Sequence, residues 1–278
     1  MATDRSYPPS PEPLPVAVAD SHCHLDLGLE GPPPSVQQAI DDAAAVGVTR
    51  IVQIGCDLAG ARWAVKTAQD HDEVVAAVAI HPNEAPRLAV AGALDAALAE
   101  IEALAALPCV RAVGETGLDH FRTDERGRPA QELSFRRHIA LSKSLGKALV
   151  IHDRDAHDDV LRVVDDEGAP DRVVMHCFSG DAAFARRCLD RGFVLSFAGT
   201  VTFKNADPLR ESLALCPSDQ VLVETDAPYL APMPYRGRAN ASYLIPTTLR
   251  FMAGVRGVDV GDLATSVDST TRRVFGAW

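Results

Sequence analysis

Eight short apolar runs, each followed by a turn and an amphipathic segment, recur along this chain of 278 residues. Such an alternation predicts parallel strands joined by helices, because parallel neighbours need a long crossover connection. Eight units in a chain of this length predict a (β/α)8 TIM barrel, with a doubly wound open sheet as the structural alternative. No Gly-x-Gly-x-x-Gly follows the first strand, which removes the commonest cofactor interpretation of the open sheet.

The boundaries of the units follow from the apolar runs and from the Gly and Pro residues between them. The strands are expected at about residues 16–23, 50–55, 74–80, 110–114, 148–151, 172–175, 193–197 and 221–223. The helices are expected at about residues 35–45, 60–71, 93–107, 130–145, 156–166, 182–190 and 208–215, with one or two more within 243–275. Residues 16–278 show no linker, so we expect a single domain. Residues 1–15 hold five prolines and are expected to form a flexible leader.

The charge balance restricts the class of function. The formal net charge is −11, which argues against a protein that coats nucleic acid through a broad basic face. It leaves open an enzyme that takes a phosphodiester end into a metal-lined pocket, because the cations then supply the positive charge.

The chain has no apolar run as long as a membrane helix. It has six cysteines, and none of them forms a Cys-x-x-Cys pair. We therefore expect a cytoplasmic monomer with no membrane partner.

A His-x-His pair follows the first predicted strand, in the stretch Asp20-Ser21-His22-Cys23-His24-Leu25. Alternate side chains of an extended chain point the same way, so both imidazoles can reach one point in space. Neutral imidazoles on a common face suit a zinc-like or manganese-like cation. The plain alternative is two ordinary loop histidines.

Further metal-competent side chains stand at the carboxyl ends of predicted strands, where the active sites of such barrels lie. Glu115 follows strand four, and a carboxylate among histidines suits a bridge between two cations. Each position has a plain alternative, such as a structural hydrogen bond for a histidine or a turn for Asp226. The candidates are His22, His24, His81, Glu115, His152, His176 and Asp226, whereas His71, His120, His138 and His157 lie in other helices or loops and are interpreted as ordinary.

Four longer motifs contain most of these residues, and together they resemble the TatD family of metal-dependent hydrolases, usually described as TatD-type DNases. The motifs are Asp20-Ser21-His22-Cys23-His24, Gly114-Glu115-Thr116-Gly117-Leu118-Asp119, His176-Cys177-Phe178-Ser179-Gly180 and Glu224-Thr225-Asp226-Ala227-Pro228-Tyr229-Leu230. The segments Ile80-His81-Pro82 and Val201-Thr202-Phe203-Lys204-Asn205-Ala206 are similar to further stretches of that family.

The resemblance implies a barrel hydrolase with two divalent metal ions, which would be Mg, Mn or Zn. One ion would be held by His22, His24, Glu115 and Asp226, and the second by Glu115, His152 and His176. Glu115 and Asp226 would be the catalytic residues, with Asp226 accepting the proton of the attacking water. The implied activity is hydrolysis of DNA phosphodiesters, as a 3′–5′ exonuclease acting on single-stranded DNA or 3′ ends.

Three residues are candidates to bind the substrate. Lys204 and Arg236 follow strands seven and eight and can hold phosphate, and His81 follows strand three. The segment 238–242 departs from the family pattern, because Ala and Ser stand where a Glu and a Pro are usual. Substrate preference is therefore open at that loop.

Two other functions remain as alternatives. An amidohydrolase-like enzyme acting on a small amide, ester or lactone has the same kind of site, although many of its two-metal members carry a modified lysine where this chain has Glu115. A scaffold or nucleic-acid-binding protein with a structural metal is the third hypothesis. Structural zinc sites are closed by four ligands, often cysteines, whereas this chain offers more than four His and carboxylate candidates.

Overall fold

The computed structural model describes residues 5–278 and confirms the (β/α)8 barrel. Its eight parallel strands pair in sequence order. The barrel closes between the last strand and the first, where the Asp226 amide donates to the carbonyl of His22 and the His24 amide donates to that of Ala227, both at 2.9 Å. The strands are β1 (Val18–Cys23), β2 (Val48–Gly55), β3 (Val74–Val78), β4 (Val110–Asp119), β5 (Ala148–Arg154), β6 (Val173–Met175), β7 (Val194–Phe197) and β8 (Val221–Val223).

Helices surround this barrel. Those of residues 5–278 are α1 (Val36–Ala44), α2 (Leu58–Asp70), α3 (Ala85–Val90), α4 (Leu94–Ala105), α5 (Arg128–Leu145), α6 (His157–Glu167), α7 (Ala182–Leu189), α8 (Asp207–Leu215), α9 (Ile245–Arg256) and α10 (Val260–Phe275). Helix α3 was not among the expected helices. Its Pro86 occupies the first turn, where no amide hydrogen bond is needed. None of the helices in this described part is long and apolar enough to cross a membrane.

Strands β4 and β5 continue several residues beyond their predicted ends. Gly117 pairs with His152, and Asp119 pairs with Arg154. The apolar runs mark where the strands are covered by helices, whereas the backbone pairing continues into polar residues. His152 therefore lies within a paired strand, which holds it more rigidly than a loop would, and Glu115 lies in β4 at the register irregularity between Val113 and Thr116.

The barrel interior is filled at one end and carries the polar cluster at the other. Buried side chains from alternate strand positions, with Phe275 near the C-terminus, form the interior core. On β5, β6 and β8 the inward face continues by alternation from an apolar residue to a polar one: Val150 to His152, Val174 to His176 and Leu222 to Glu224. The same strand faces therefore build both the core and the site.

The described part of the leader, residues 5–15, differs from the flexible arm that was expected. Tyr243 Oη donates to Pro8 O at 2.5 Å, Arg250 donates to Pro13 O at 2.8 Å, and the Leu14 amide donates to Val46 O at 3.0 Å. Proline lacks an amide proton but keeps its carbonyl, so a proline-rich segment can be fixed by donors from elsewhere in the fold. Residues 1–4 lie outside the described residues.

Candidate metal centre

Glu115 lies at the middle of a polar cluster at the carboxyl ends of the strands. Its Oε1 lies 2.6 Å from His152 Nδ1 and 3.1 Å from His176 Nε2. Its Oε2 lies 3.4 Å from His22 Nε2. The two oxygens of one buried carboxylate thus meet two separate sets of histidines.

Two glycines on either side of Glu115 let β4 pack closely against β5. A Cβ on Gly114 would lie 2.5 Å from Val150 Cβ. Gly117 has φ +137°, and a Cβ there would lie 2.0 Å from His152 O. Only glycine fits such a close approach, so the Gly-Glu-Thr-Gly sequence fixes the glutamate beside β5.

His22, His24 and Asp226 form the first set around Glu115. Asp226 Oδ1 lies 3.4 Å from His24 Nε2 and 3.7 Å from His22 Nε2. Asp226 has φ +54°, in the left-handed region that aspartate tolerates better than most residues. Its backbone bond to β1 holds this conformation, so the barrel closure itself aims the carboxylate at the two histidines.

His152, His176 and His81 form the second set. His81 Nε2 lies 3.4 Å from Glu115 Oε1, and the His81 and His152 ring centroids are 4.7 Å apart. The His176 ring stacks on that of His22 at 3.7 Å, which joins the two sets. His81, predicted as a substrate contact, therefore lies within the cluster.

Two buried carboxylates behind the second set were missed by the sequence reasoning. Glu224 Oε1 lies 2.9 Å from His176 Nδ1 and also accepts from the Cys177 amide at 2.9 Å. Asp119 Oδ2 lies 3.4 Å from His152 Nε2 and accepts from Asn83 Nδ2 at 2.9 Å. Such carboxylates orient histidine ligands and make them more basic. The only sequence signal was their place in the Glu-Thr-Asp and Gly-Leu-Asp motifs.

Asp20 ties β1 to the segment after β8 behind the first set. It accepts from Thr225 Oγ1 at 2.6 Å and from Ser242 Oγ at 2.8 Å, and burial raises its pKa to about 6. Asn240 donates to Thr225 O at 2.8 Å. The segment 238–242, which departs from the family pattern, thus supplies two side chains that brace the Asp226 region.

The charge states of Glu115, Asp226 and His22 favour cation binding. Burial opposes ionisation of Glu115, but His176 and His81 still hold its pKa well below the usual range. Burial likewise opposes ionisation of Asp226, but His24 lowers its pKa. Burial, reinforced by the charge of His176, lowers the pKa of His22. The carboxylates are therefore anionic and His22 is neutral, which are the forms that bind metal.

Three other histidines have raised pKa values. Burial opposes protonation of His152, but the Asp119 and Glu115 carboxylates raise its pKa to about 9. Glu224 and Glu115 similarly overcome burial and raise the pKa of His176, and Asp226 does so for His24. Protons on these rings compensate the carboxylates, so a metal ion has to displace them.

The residues present fit divalent metal ions. Within residues 5–278, both ring nitrogens of the ligand candidate His22 are buried without a hydrogen-bond partner. Such atoms are costly to bury unless something satisfies them, and a cation does so. Imidazole and carboxylate donors suit Zn, Mn or, with waters, Mg.

The two predicted phosphate contacts lie apart from this cluster. Lys204 is exposed after β7, and its backbone carbonyl accepts from Arg210. Arg236 is exposed after β8, with its guanidinium 4.5 Å from the centre of the Phe203 ring. The structure brings these two cations to neighbouring loops but gives neither a contact with the metal-competent residues.

His138 has an internal structural role. It is buried, accepts from the Ile80 amide at 3.3 Å and lies 3.0 Å from Thr116 Oγ1. Burial lowers its pKa to about 4, so the ring stays neutral near pH 7. Its bonds support the strand that carries Glu115.

A buried carboxylate between two His-rich sets, at the carboxyl end of a (β/α)8 barrel, defines a metal-dependent hydrolase. The chain belongs to the family described as TatD related DNase, whose model matches residues 19–276. It is 46% identical over 263 residues to an uncharacterized metal-dependent hydrolase TatD of Mycobacterium tuberculosis, covering 93% of this chain and 98% of that protein.

A second relative and one solved structure also match most of the chain. The chain is 33% identical over 247 residues to a protein of Citrobacter rodentium named 3′-5′ ssDNA/RNA exonuclease TatD, covering 86% of this chain and 91% of that protein. The crystal structure of YJJV, a TatD homolog from Escherichia coli K12, superposes with a TM-score of 0.84 at 25% identity, covering 94% of this chain and 98% of that one.

Proposed function

We propose that this protein is a two-metal deoxyribonuclease that removes nucleotides from 3′ ends of DNA. The observation that carries the proposal is the Glu115 carboxylate, whose two oxygens meet two separate donor sets. Two cations about 3.5–4 Å apart are bridged by such a carboxylate in phosphodiester-cleaving enzymes. The relative named as a 3′-5′ ssDNA/RNA exonuclease supports this choice of substrate.

The assignment of ligands follows the two sets. His22, His24, Glu115 and Asp226 would hold one ion, and Glu115, His152 and His176 the other. When bound, the ions supply Lewis acidity that lowers the pKa of water and neutralises charge on the phosphate oxygens. The chain's own residues fix the donor positions through Asp119, Glu224 and the closure of the barrel.

Asp226 would accept the proton of the attacking water. Its side chain is 18% exposed, against 6% for Glu115, so it borders solvent while touching His24. Its lowered pKa keeps it ionised near neutral pH, as a proton acceptor must be. Replacing it with Asn removes the acceptor and retains the shape.

Lys204, Arg236 and His81 would guide the phosphate backbone of the substrate. His81 borders the second donor set, so it can touch the group being cleaved. Lys204 and Arg236 are exposed cations on the β7 and β8 loops. In a chain of net charge −11 they attract phosphate locally, without a broad basic face.

The test is an oligonucleotide degradation assay on metal-stripped protein with Mg, Mn or Zn added back. Single-stranded DNA labelled at the 5′ or the 3′ end, duplex DNA and RNA are compared for wild type, Glu115→Gln and the exposed control Glu211→Gln. The proposal predicts metal-dependent shortening from the 3′ end by wild type and Glu211→Gln, and loss of that shortening in Glu115→Gln. A folded, metal-loaded wild-type protein that cleaves no oligonucleotide would refute it.

One observation favours a small-molecule hydrolase as a second candidate. A cavity of about 500 Å³ adjoins the cluster, lined by His24 together with mainly apolar residues such as Leu25, Leu27, Pro33 and Tyr243. Such a cavity suits a compact ester, lactone or amide. Hydrolysis of such compounds without any cleavage of oligonucleotides would select this second function.

A further inference from the structure

An exposed aromatic side chain stands beside the second donor set, paired with an arginine. Phe121 is 62% exposed, more than any other phenylalanine of residues 5–278. The guanidinium carbon of Arg154 lies 4.0 Å from the centre of its ring. Among the described residues, no carboxylate lies within salt-bridge distance of Arg154. The pair therefore offers an aromatic face and an uncompensated cation to a ligand.

The strands place this pair next to the metal centre. Arg154 is two residues beyond His152 on β5, so the two side chains leave the strand on the same face. Two residues of strand span about 7 Å. Arg154 also pairs with Asp119, and Phe121 follows two residues later. Arg154 therefore leaves β5 about 7 Å beyond His152, close enough for one ligand to reach both the pair and the second set.

The loop that carries Phe121 is fixed in place. The Arg122 amide donates to Asp119 Oδ1 at 2.8 Å, and Thr123 Oγ1 donates to Asn83 Oδ1 at 3.2 Å. Gln131 Nε2 donates to Thr123 Oγ1 at 2.8 Å. These bonds hold the loop while leaving the phenyl ring in water. Such an arrangement presents a binding face without an ordering cost when a ligand arrives.

We propose that Phe121 and Arg154 form a stacking platform for one unpaired base beside the scissile phosphodiester. The inference rests on the proposed nuclease function and adds the subsite that would make it prefer single strands. A base in a duplex is already stacked and cannot lie on Phe121, whereas an unpaired base can. The phenyl ring has no hydrogen-bonding group, so the platform accepts every base. Arg154 supports the ring from one side and adds positive charge near the backbone.

The test combines a protein change with a substrate change. Phe121→Ala is compared with wild type, with Phe121→Trp, which keeps a stacking face, and with Phe251→Ala, which removes an exposed phenylalanine from α9. The substrates are single-stranded 12-mers, either intact or with one abasic residue at each of the last three 3′ positions in turn. The readouts are KM, kcat and quenching of a 2-aminopurine placed at those positions.

For the intact 12-mer, the loss of one stacked base predicts a KM raised about 5- to 150-fold in Phe121→Ala, with kcat near wild type. Phe121→Trp and Phe251→Ala keep the wild-type KM. The difference in KM between wild type and Phe121→Ala disappears when the abasic residue occupies the stacked position. In wild type a 2-aminopurine placed at that position is quenched, and Phe121→Ala loses this quenching. A wild-type KM for Phe121→Ala on intact 12-mers overturns the platform while leaving the nuclease in place. Absence of cleavage by wild type itself refutes the nuclease function instead.

Discussion

Replacing Glu224 with Gln tests the role of the carboxylate behind His176. Glu224 is fully buried, and its Oε1 accepts from His176 Nδ1 and from the Cys177 amide, both at 2.9 Å. Glutamine keeps the size of the side chain and one acceptor oxygen but removes the charge. A hydrogen bond to a charged acceptor is roughly twice as strong as one to a neutral acceptor. His176 would therefore lose basicity at Nε2, the atom that lies beside Glu115.

We expect the Glu224→Gln change to weaken the binding of one of the two ions. Removal of the carboxylate behind a histidine ligand weakens metal binding or activity by about 10- to 100-fold, or about 1.4–2.7 kcal/mol. Chelator-competition titrations with Zn or Mn should show this loss for one ion and a wild-type affinity for the other. The matched control is the exposed Glu211→Gln. A titration of Glu224→Gln that superposes on the wild-type curve would show that Glu224 does not support His176 as a ligand. A loss far beyond 100-fold would contradict the positioning role too, since Glu224 would then be a ligand itself.

Three further predictions concern the backbone, the protons and the buried structural histidine. Gly117→Ala should abolish oligonucleotide cleavage and lower the stability of the fold, because its Cβ would lie 2.0 Å from His152 O; a variant with wild-type melting and cleavage would contradict this. Metal binding should release protons and weaken as the pH falls, because His24, His152 and His176 hold raised pKa values; calorimetry in buffers of different ionisation enthalpy measures the release, and equal heats in all buffers would argue against it. His138 has its pKa lowered to about 4 when folded, so only the unfolded chain takes up its proton between about pH 6.5 and 4. Its contribution to stability is thus complete above about pH 6.5 and shrinks by about 2 kcal/mol at pH 5. Urea unfolding with EDTA present measures this contribution. Between pH 7.5 and pH 5, the free energy of unfolding of the wild type should fall by about 2 kcal/mol more than that of His138→Gln. Parallel pH profiles of the two proteins would show that His138 does not titrate in this way.

The sequence predicted the barrel well because its signal is local. An apolar run of strand length and a helical segment can each be recognised within a few consecutive residues. Their alternation along the chain then predicts the parallel barrel topology. The same local rule finds histidines at strand ends, since His152 and His176 directly follow apolar runs. Their meeting around Glu115 then follows from the convergence of parallel strands at one end of the barrel.

Contacts between residues far apart in the chain were beyond this reasoning. Glu224 contacts His176, which lies 48 residues away in the chain. In the sequence, Glu224 cannot be told apart from any other acidic residue that follows a strand. Pro8 is fixed by Tyr243, 235 residues away, although the leader's composition is typical of a flexible arm. No local sequence pattern distinguishes Phe121. Its exposure depends on the hydrogen bonds that fix the loop after Asp119. Such features depend on the assembled fold.

Titration of metal-stripped protein with Mn, with bound metal and oligonucleotide turnover measured together, tests whether a bridged pair of metal ions hydrolyses DNA. Two ions per chain should bind, and turnover should rise only as the second ion binds. Glu115→Gln should never reach two ions and should gain no turnover. Full turnover at one ion per chain, or two ions with normal turnover in Glu115→Gln, would show that no bridged pair is needed.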